Sequence, residues 1–408
     1  MRLIHLTEYQ RTPLHGLGRA EVDLLRETAS GMRLEPSLEA GVAFDAIPGS
    51  WVGVVLLPSV EVQIHPKIPI DRLMFLLSYA ADPDAWSDDA VGLAESDSPL
   101  DAVAAAFLRL LSRATRRGLL HGYRTVEETL HTVRGRIQFT ELVQRRHGIP
   151  LPVPVEYDEY TPDIVENQIL KAALGRLRQV PLRSAKVRRG LREVASAFAE
   201  VSDLGLRRID IPEIQFNRLN KHYEPAVMLA GLILRGSSFE LGAGPATGSA
   251  FLLNMNDVFE AFVHRALCEA LAVQPTEFRR GVRGVHLDED RRVHMEPDLS
   301  WWRGSRCTFV GDAKYKRLEP SGIKHADLYQ LLAYTTALDL DRGLLIYAAS
   351  EASPASHAVR FCGKQLEVAA LDLNSPPADI LHAVTLLADR IRELAEYLLT
   401  PSPPASVC

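Results

Sequence analysis

The sequence predicts a multidomain α+β and α/β chain: a mostly β N-terminal domain, a helical middle region and a C-terminal α/β domain with a mixed central sheet. Three observations carry that expectation. Short apolar runs cut by Gly and Pro fill the stretch from Met1 to Ile70, and apolar residues at helical spacing dominate the middle. After Phe251 the pattern becomes helix, strands, helix, strand, the order of a mixed sheet covered by helices.

Taken in order, Gly41–Ile47, Trp51–Leu57 and Val60–His65 read as strands, with Pro48-Gly49 and Pro58-Ser59 turning the chain between them. Leu73–Ala80 begins a helix, and the polar, acidic Asp82–Ser98 reads as a loop. Leu100–Gly118 is amphipathic, with Val103, Phe107, Leu110 and Leu111 on one side and Gly118 as its stop. Arg124–Thr140 reads as extended, with Arg134-Gly135-Arg136 in a turn, and a helix follows from Glu166 to Gln179. Seven Lys and Arg fall within Arg176–Arg192, either as the solvated face of a helix or as a phosphate-contacting surface. Helices are expected over Leu191–Val201 and Arg218–Leu234, then a Gly/Ser-rich loop over Gly236–Ser249. The C-terminal part opens with a helix, Asn256–Leu271, whose apolar face holds Val258, Phe262, Val263, Ala266 and Leu267. Strand-like runs follow at Val282–Leu287, His294–Trp302, Cys307–Asp312 and Gly343–Ala349, with a helix at Lys324–Leu338 before the last and another at Ala378–Leu399 closing the chain. The expected domains are therefore 1–155, 156–249 and 250–400, with a disordered tail at 401–408.

Composition narrows the function classes. At 408 residues, 47% hydrophobic and 24% charged, the chain can bury several cores and is neither fibrous nor disordered. A net charge of −6 confines any nucleic-acid contact to local basic patches. Cys268, Cys307, Cys362 and Cys408 form no C-x-x-C pair, which argues against a zinc or iron–sulfur site and fits a reducing cytoplasm. Neither a signal-peptide core nor a run of ~18 apolar residues is present, so a cytoplasmic protein without a membrane partner is expected. The thirteen His show no H-x-x-x-H or H-E-x-x-H spacing, and no G-x-S-x-G elbow occurs.

The chemistry concentrates in Met295–Lys316. Pro297-Asp298 is followed, after thirteen residues, by Asp312-Ala313-Lys314, with Arg303-Gly304-Ser305-Arg306 as the turn between two apolar runs. Antiparallel strands joined there bring Asp298 alongside Asp312, and alternation puts Asp312 and Lys314 on one face. Glu260 precedes them on an apolar helix, and Gln330 and Tyr334 follow at helical spacing, one turn after Asp327. Each has an ordinary reading too: an exposed strand pair, a solvated helix acid, a buried hydrogen-bonded couple. Arg279, Arg280 and Arg283 lie just before the strands, as phosphate contacts or plain solvated charge.

In that order these residues resemble the PD-(D/E)xK nuclease core, and Gln330-x-x-x-Tyr334 resembles the extra motif of its RecB-like branch. The chain is also similar, over nearly its full length, to the McrC family, the nuclease partner of the McrB-type GTPase in modification-dependent restriction. Upstream, Ile64-His65-Pro66-Lys67-Ile68, Arg134-Gly135-Arg136, Tyr157–Asn167 and Asp257–Phe262 carry that likeness.

The resemblance implies a restriction-endonuclease-like C-terminal domain that cuts DNA and an N-terminal part that engages an AAA+ GTPase hexamer and stimulates its hydrolysis. It implies Mg²⁺, with Mn²⁺ as the alternative ion, on Asp298, Asp312 and the Ala313 carbonyl, with Lys314, Glu260, Gln330 and Tyr334 completing the site. No G-x-x-x-x-G-K-[ST] loop occurs, so nucleotide binding falls to the partner. A non-catalytic adaptor of an AAA+ NTPase and a stand-alone nuclease for RNA or damaged DNA are the alternatives.

Overall fold

The computed structural model describes residues 2–29, 31–83, 98–146, 151–204, 212, 214–236, 249–316, 325–348 and 355–397. The loops expected at 82–98 and 236–249 fall largely outside these residues, as does the tail expected at 401–408. The chain is a mixed α+β protein that packs as two compact units. One combines Met1–Ala106 with Gly236–Cys408, and the other is Phe107–Arg235. The boundaries expected at 155 and 249 do not coincide with these packing units.

The first part of the chain runs through β1 (Arg2–Thr7), β2 (Thr12–Pro13), α1 (Arg19–Thr28), β3 (Arg33–Pro36), β4 (Phe44–Ile47), β5 (Trp51–Leu56), β6 (Val60–His65), α2 (Ile70–Ala81) and α3 (Pro99–Ala114). Helix α1 is an element beyond those the sequence predicts. Its Val22, Leu24 and Leu25 are buried in a core shared with Val55, Val62, Ile64 and Leu252.

Next come β7 (Gly122–Leu130), β8 (Arg136–Ile137), α4 (Phe139–Arg146), β9 (Val153–Thr161), α5 (Val165–Gln179), α6 (Ala185–Ala195) and α7 (Glu224–Gly236). Two expected helices shift here. The one expected at Leu191–Val201 begins earlier because Ser184 caps it, its side chain accepting from the Val187 N–H at 3.4 Å. The one expected at Arg218–Leu234 begins later, with Pro225 in its first turn, where a missing N–H costs no helical bond. Strands β7 and β9 pair antiparallel over nine residues each, with β7 largely exposed and β9 buried at Val153–Val155. The side chains of Arg178, Arg183, Lys186, Arg188, Arg189 and Arg192 are exposed.

Asp163 organises the second unit. Its carboxylate accepts from Gln168 Nε2 (2.8 Å), the Ser202 N–H (2.8 Å) and the Ser202 hydroxyl (2.6 Å), and it pairs with Arg124. Burial alone would raise this carboxyl, but the hydrogen bonds and the Arg124 charge outweigh it and hold it down at about 2. A depressed pKa contributes stability above the ordinary value of 3.8 that is lost as pH falls towards 2. Asp163→Asn is expected to destabilise this unit by about 2 kcal/mol at pH 7 and by much less near pH 2, checked by urea unfolding at both pH values.

The remainder runs through β10 (Ser249–Asn254), α8 (Met255–Leu271), β11 (Phe278–Arg279), β12 (Val285–His286), β13 (His294–Met295), β14 (Leu299–Arg303), β15 (Arg306–Lys314), α9 (His325–Ala337), β16 (Arg342–Tyr347), β17 (Ala355–Ala358), β18 (Gln365–Ala370) and α10 (Pro377–Tyr397). The strand expected at Val282–Leu287 shrinks to β12, because Gly281 and Gly284 take positive φ. The run expected at His294–Trp302 is split between β13 and β14 at Pro297, which has no N–H to give a ladder.

Five sheets result. They are β1-β6-β5-β10, β2-β4-β3, β7-β9-β8, β12-β13 and a six-stranded β11-β14-β15-β16-β18-β17. The last is mixed: β15, β16 and β18 run parallel, and the remaining pairs are antiparallel. Its parallel β15–β16 pair needs a crossover, which α9 supplies while packing on β15, β16 and β18. On the other side of the chain's order, β10 completes the N-terminal sheet by pairing with β5. Gly53 makes that approach possible, since at φ +145° a Cβ there would lie 2.1 Å from the Phe251 carbonyl oxygen. Asn254 then caps α8 by accepting from the Asn256 N–H at 3.1 Å, and Asp257 complements the helix dipole in the first turn.

Candidate active site

A two-residue turn, Gly304-Ser305, joins β14 to β15, with Gly304 at φ +65°. The antiparallel register pairs Leu299 with Gly311, so the next residues outward, Asp298 and Asp312, come together. The Ala313 N–H donates to Asp298 Oδ2 at 3.0 Å and fixes that carboxylate at the mouth of the hairpin. Asp312 is fully buried, and among the described residues its Oδ1 has no hydrogen-bond partner. Its Oδ2 faces the Lys314 ammonium as an ion pair, and the same ammonium lies 3.9 Å from Asp298 Oδ2. The expected convergence of two acids and a lysine is what the hairpin builds.

Electrostatics mark this as a crowded negative site. Burial first, then the neighbouring Asp298, pushes the Asp312 carboxyl up to about 8. Burial also raises Asp298, with Glu260 adding to it. Burial acts to lower Lys314, but the charges of Asp312 and Asp298 outweigh it and hold the ammonium above its usual range. Glu260 on α8 is pushed up to about 7, chiefly by burial and by Asp257, while the charges of Arg280, Lys314 and Asp312 all reach it. The helix acid therefore belongs to the same electrostatic cluster.

Helix α9 brings the last two residues. Gln330 Nε2 donates to the Tyr334 hydroxyl at 2.7 Å, and that hydroxyl donates to the Glu296 carbonyl at 3.2 Å. Tyr334 is buried, and after burial the charges of Asp312 and Asp298 raise its pKa further. Gln330 is exposed. The three arginines part company. Arg280 acts on Glu260, Arg279 donates to the Thr276 carbonyl at 2.8 Å and lies over the Trp302 ring, and Arg283 is almost fully exposed near Glu296.

Residues outside the motif also hold the site. Asp327 is buried and accepts from Lys316 Nζ (2.7 Å) and the Tyr347 hydroxyl (2.7 Å). Its position one turn before Gln330 was visible in the sequence; its partners, on two other strands' ends, were not.

Two adjacent carboxylates, the fully buried one raised by burial and by its neighbour and both facing one ammonium, are suited to an oxygen-preferring divalent cation. Among the described residues no group of three or more His, Cys, Asp or Glu closes round one point. Mg²⁺ keeps several waters and needs only one or two carboxylates, so Asp298 and Asp312 fit it.

Among the described residues no helix is long and apolar enough to cross a membrane. No curated protein matches the chain. In shape, the chain is similar to a chain of the refined half-complex from the tetradecameric assembly of Thermococcus gammatolerans McrB AAA+ hexamers with bound McrC. That likeness covers 95% of this chain and 100% of the other, with a TM-score of 0.50 and 16% identity. A chain from the cryo-EM structure of the Thermococcus gammatolerans McrBC complex is similar over 68% of this chain and 89% of its own length, with a TM-score of 0.42 and 19% identity. The model of the McrBC family, the McrBC 5-methylcytosine restriction system component, matches residues 47–348. Matched along most of its length, the chain belongs to the McrBC 5-methylcytosine restriction system component family.

Proposed function

We propose that this chain is the DNA-cutting subunit of an McrBC-type restriction complex, a Mg²⁺-dependent endonuclease with a PD-(D/E)xK site that works with an McrB-like AAA+ GTPase hexamer and stimulates its hydrolysis. The observation that carries the reading is the buried Asp298–Asp312–Lys314 constellation at the end of an antiparallel hairpin. The family and the shared fold with a chain from McrB hexamers with bound McrC support the choice of partner.

Asp298 and Asp312 would hold Mg²⁺, with the Ala313 carbonyl as a further ligand. The bound ion supplies polarisation of the scissile phosphate and a water of lowered pKa. Lys314, fixed between the two acids, orients the attacking water and stabilises charge developing on the phosphate. Glu260, with its pKa near neutrality, can give or take a proton beside them. Tyr334 and Gln330 position the strand from the α9 side. Arg280, whose charge reaches Glu260, is the first candidate for a phosphate contact, with Arg279 and Arg283 as further candidates.

The test is cleavage of methylated and unmethylated DNA by the purified chain with its AAA+ partner, GTP and Mg²⁺. Cutting that needs all four and prefers methylated DNA is expected. Stimulated GTP turnover without cutting would make the chain an adaptor. Cutting without partner or nucleotide would make it a stand-alone nuclease.

A further inference from the structure

The end of the acid-bearing strand is gripped by the first residues of the chain. β15 stops at Lys314, and Tyr315 follows it out of the sheet, fully buried. The Tyr315 carbonyl accepts from the Tyr9 hydroxyl at 2.9 Å, and its own hydroxyl donates to Glu8 Oε2 at 3.0 Å. The Lys67 ammonium lies 4.2 Å from the Tyr315 ring centroid, and the Lys67 N–H donates to the same Glu8 oxygen at 2.9 Å. Lys67 Nζ also reaches the Ala348 carbonyl at 3.2 Å, and the Ala348 N–H donates to the Lys314 carbonyl at 3.0 Å. One small cluster thus ties Glu8, Tyr9 and Lys67 to the ends of both β15 and β16.

This cluster is costly as a simple glue. Glu8 is almost completely buried, its Oε1 has no hydrogen-bond partner among the described residues, and burial pushes its carboxyl up to about 7 against the bonds from Lys67 and Tyr315. Apolar side chains of the same volume would hold two surfaces together at lower cost. What a connected polar network adds is direction: each bond fixes an orientation as well as a distance. The residue so fixed is the immediate neighbour of Lys314, whose ammonium must face both Asp312 and Asp298.

We infer that Glu8, Tyr9 and Lys67 are positioning residues for the acid site, holding Tyr315 so that Lys314 and Asp312 keep the register in which a divalent cation binds. The inference rests on the reading of Asp298, Asp312 and Lys314 as a Mg²⁺ site, and it makes that site dependent on residues from the first part of the chain.

The experiment compares Tyr315→Phe, Lys67→Met, Glu8→Ala and the conservative Glu8→Gln in the full chain. Mn²⁺ affinity is measured by calorimetry without DNA, and single-turnover cleavage with the AAA+ partner. Tyr315→Phe, Lys67→Met and Glu8→Ala are expected to weaken Mn²⁺ binding by about 10–100-fold, the size of losses when groups behind metal ligands are removed. Cleavage should fall with it while the DNA concentration for half-maximal rate stays constant, and Glu8→Gln, which keeps the acceptor oxygen, should restore most of both. A merely structural role would lower the Tm and leave Mn²⁺ affinity within twofold of the unmodified chain; that result in the three disruptive variants overturns the inference. Should any one of them fail to fold, the others and the Glu8→Gln comparison decide it. If the unmodified chain binds Mn²⁺ but cuts no DNA, the nuclease reading fails and the affinities still decide the positioning role.

Discussion

Asp312→Asn is expected to lower Mg²⁺-dependent cleavage by about 10³-fold or more and, in the same molecule, to raise the Tm of the metal-free chain at pH 8. Both effects come from one carboxyl group. Asp312 is fully buried beside Asp298, and its pKa is pushed from 3.8 to about 8 by burial and by that neighbour. Between those two values the folded chain retains a proton that the unfolded chain has released, so stability falls as pH rises through the window. Asn cannot ionise and is spared that fall, although it loses the ion pair with Lys314, which keeps Asp298 nearby. Thermal melts in EDTA from pH 5 to 9 check this: the variant's advantage should widen with pH, and Mg²⁺ should stabilise only the unmodified chain. Parallel Tm profiles would remove Asp312 as a strained metal ligand.

Phe262→Ala is expected to destabilise the unit that carries the site by about 3–5 kcal/mol. Phe262 has no exposed surface and meets Phe75 and Tyr79 of α2 edge-on, at 5.3 and 5.7 Å between ring centroids. Edge-to-face pairs of this kind contribute about 0.5–1.5 kcal/mol each beyond their buried area. The same substitution lies two residues from Glu260 on α8, so cleavage should weaken along with the fold. Urea unfolding gives the first quantity, and a midpoint shift worth under about 1 kcal/mol would show that α2 and α8 repack around the gap.

Much of the acid site was legible because its chemistry is local. A strand presents alternate residues to one face, so Asp312-Ala313-Lys314 places an acid and a base together whatever surrounds them. Gly304 announces the tight turn that folds Asp298 back onto Asp312, and the four-residue step from Gln330 to Tyr334 is one helical turn. The electrostatic link from Glu260 to Lys314 was harder to foresee, since it depends on how α8 lies against β15. The arginines show the limit of reading charge from sequence: of three neighbours in the chain, Arg279 meets a backbone carbonyl and a tryptophan ring, Arg280 acts by its charge on Glu260, and Arg283 is almost fully exposed near Glu296.

The sequence by itself determined the residue types, the hairpin and the helix faces, because spacing and turn chemistry act over a few residues. Only the tertiary structure decided that β10 would complete the N-terminal sheet and that Glu8, Tyr9 and Lys67 would close on Tyr315. These pairings join residues far apart in the chain, and no local period encodes them. They are selected when apolar faces such as those of α2 and α8 are buried together, and the buried polar groups left at the seam, Glu8 among them, must then find their partners in whatever the packing has brought alongside.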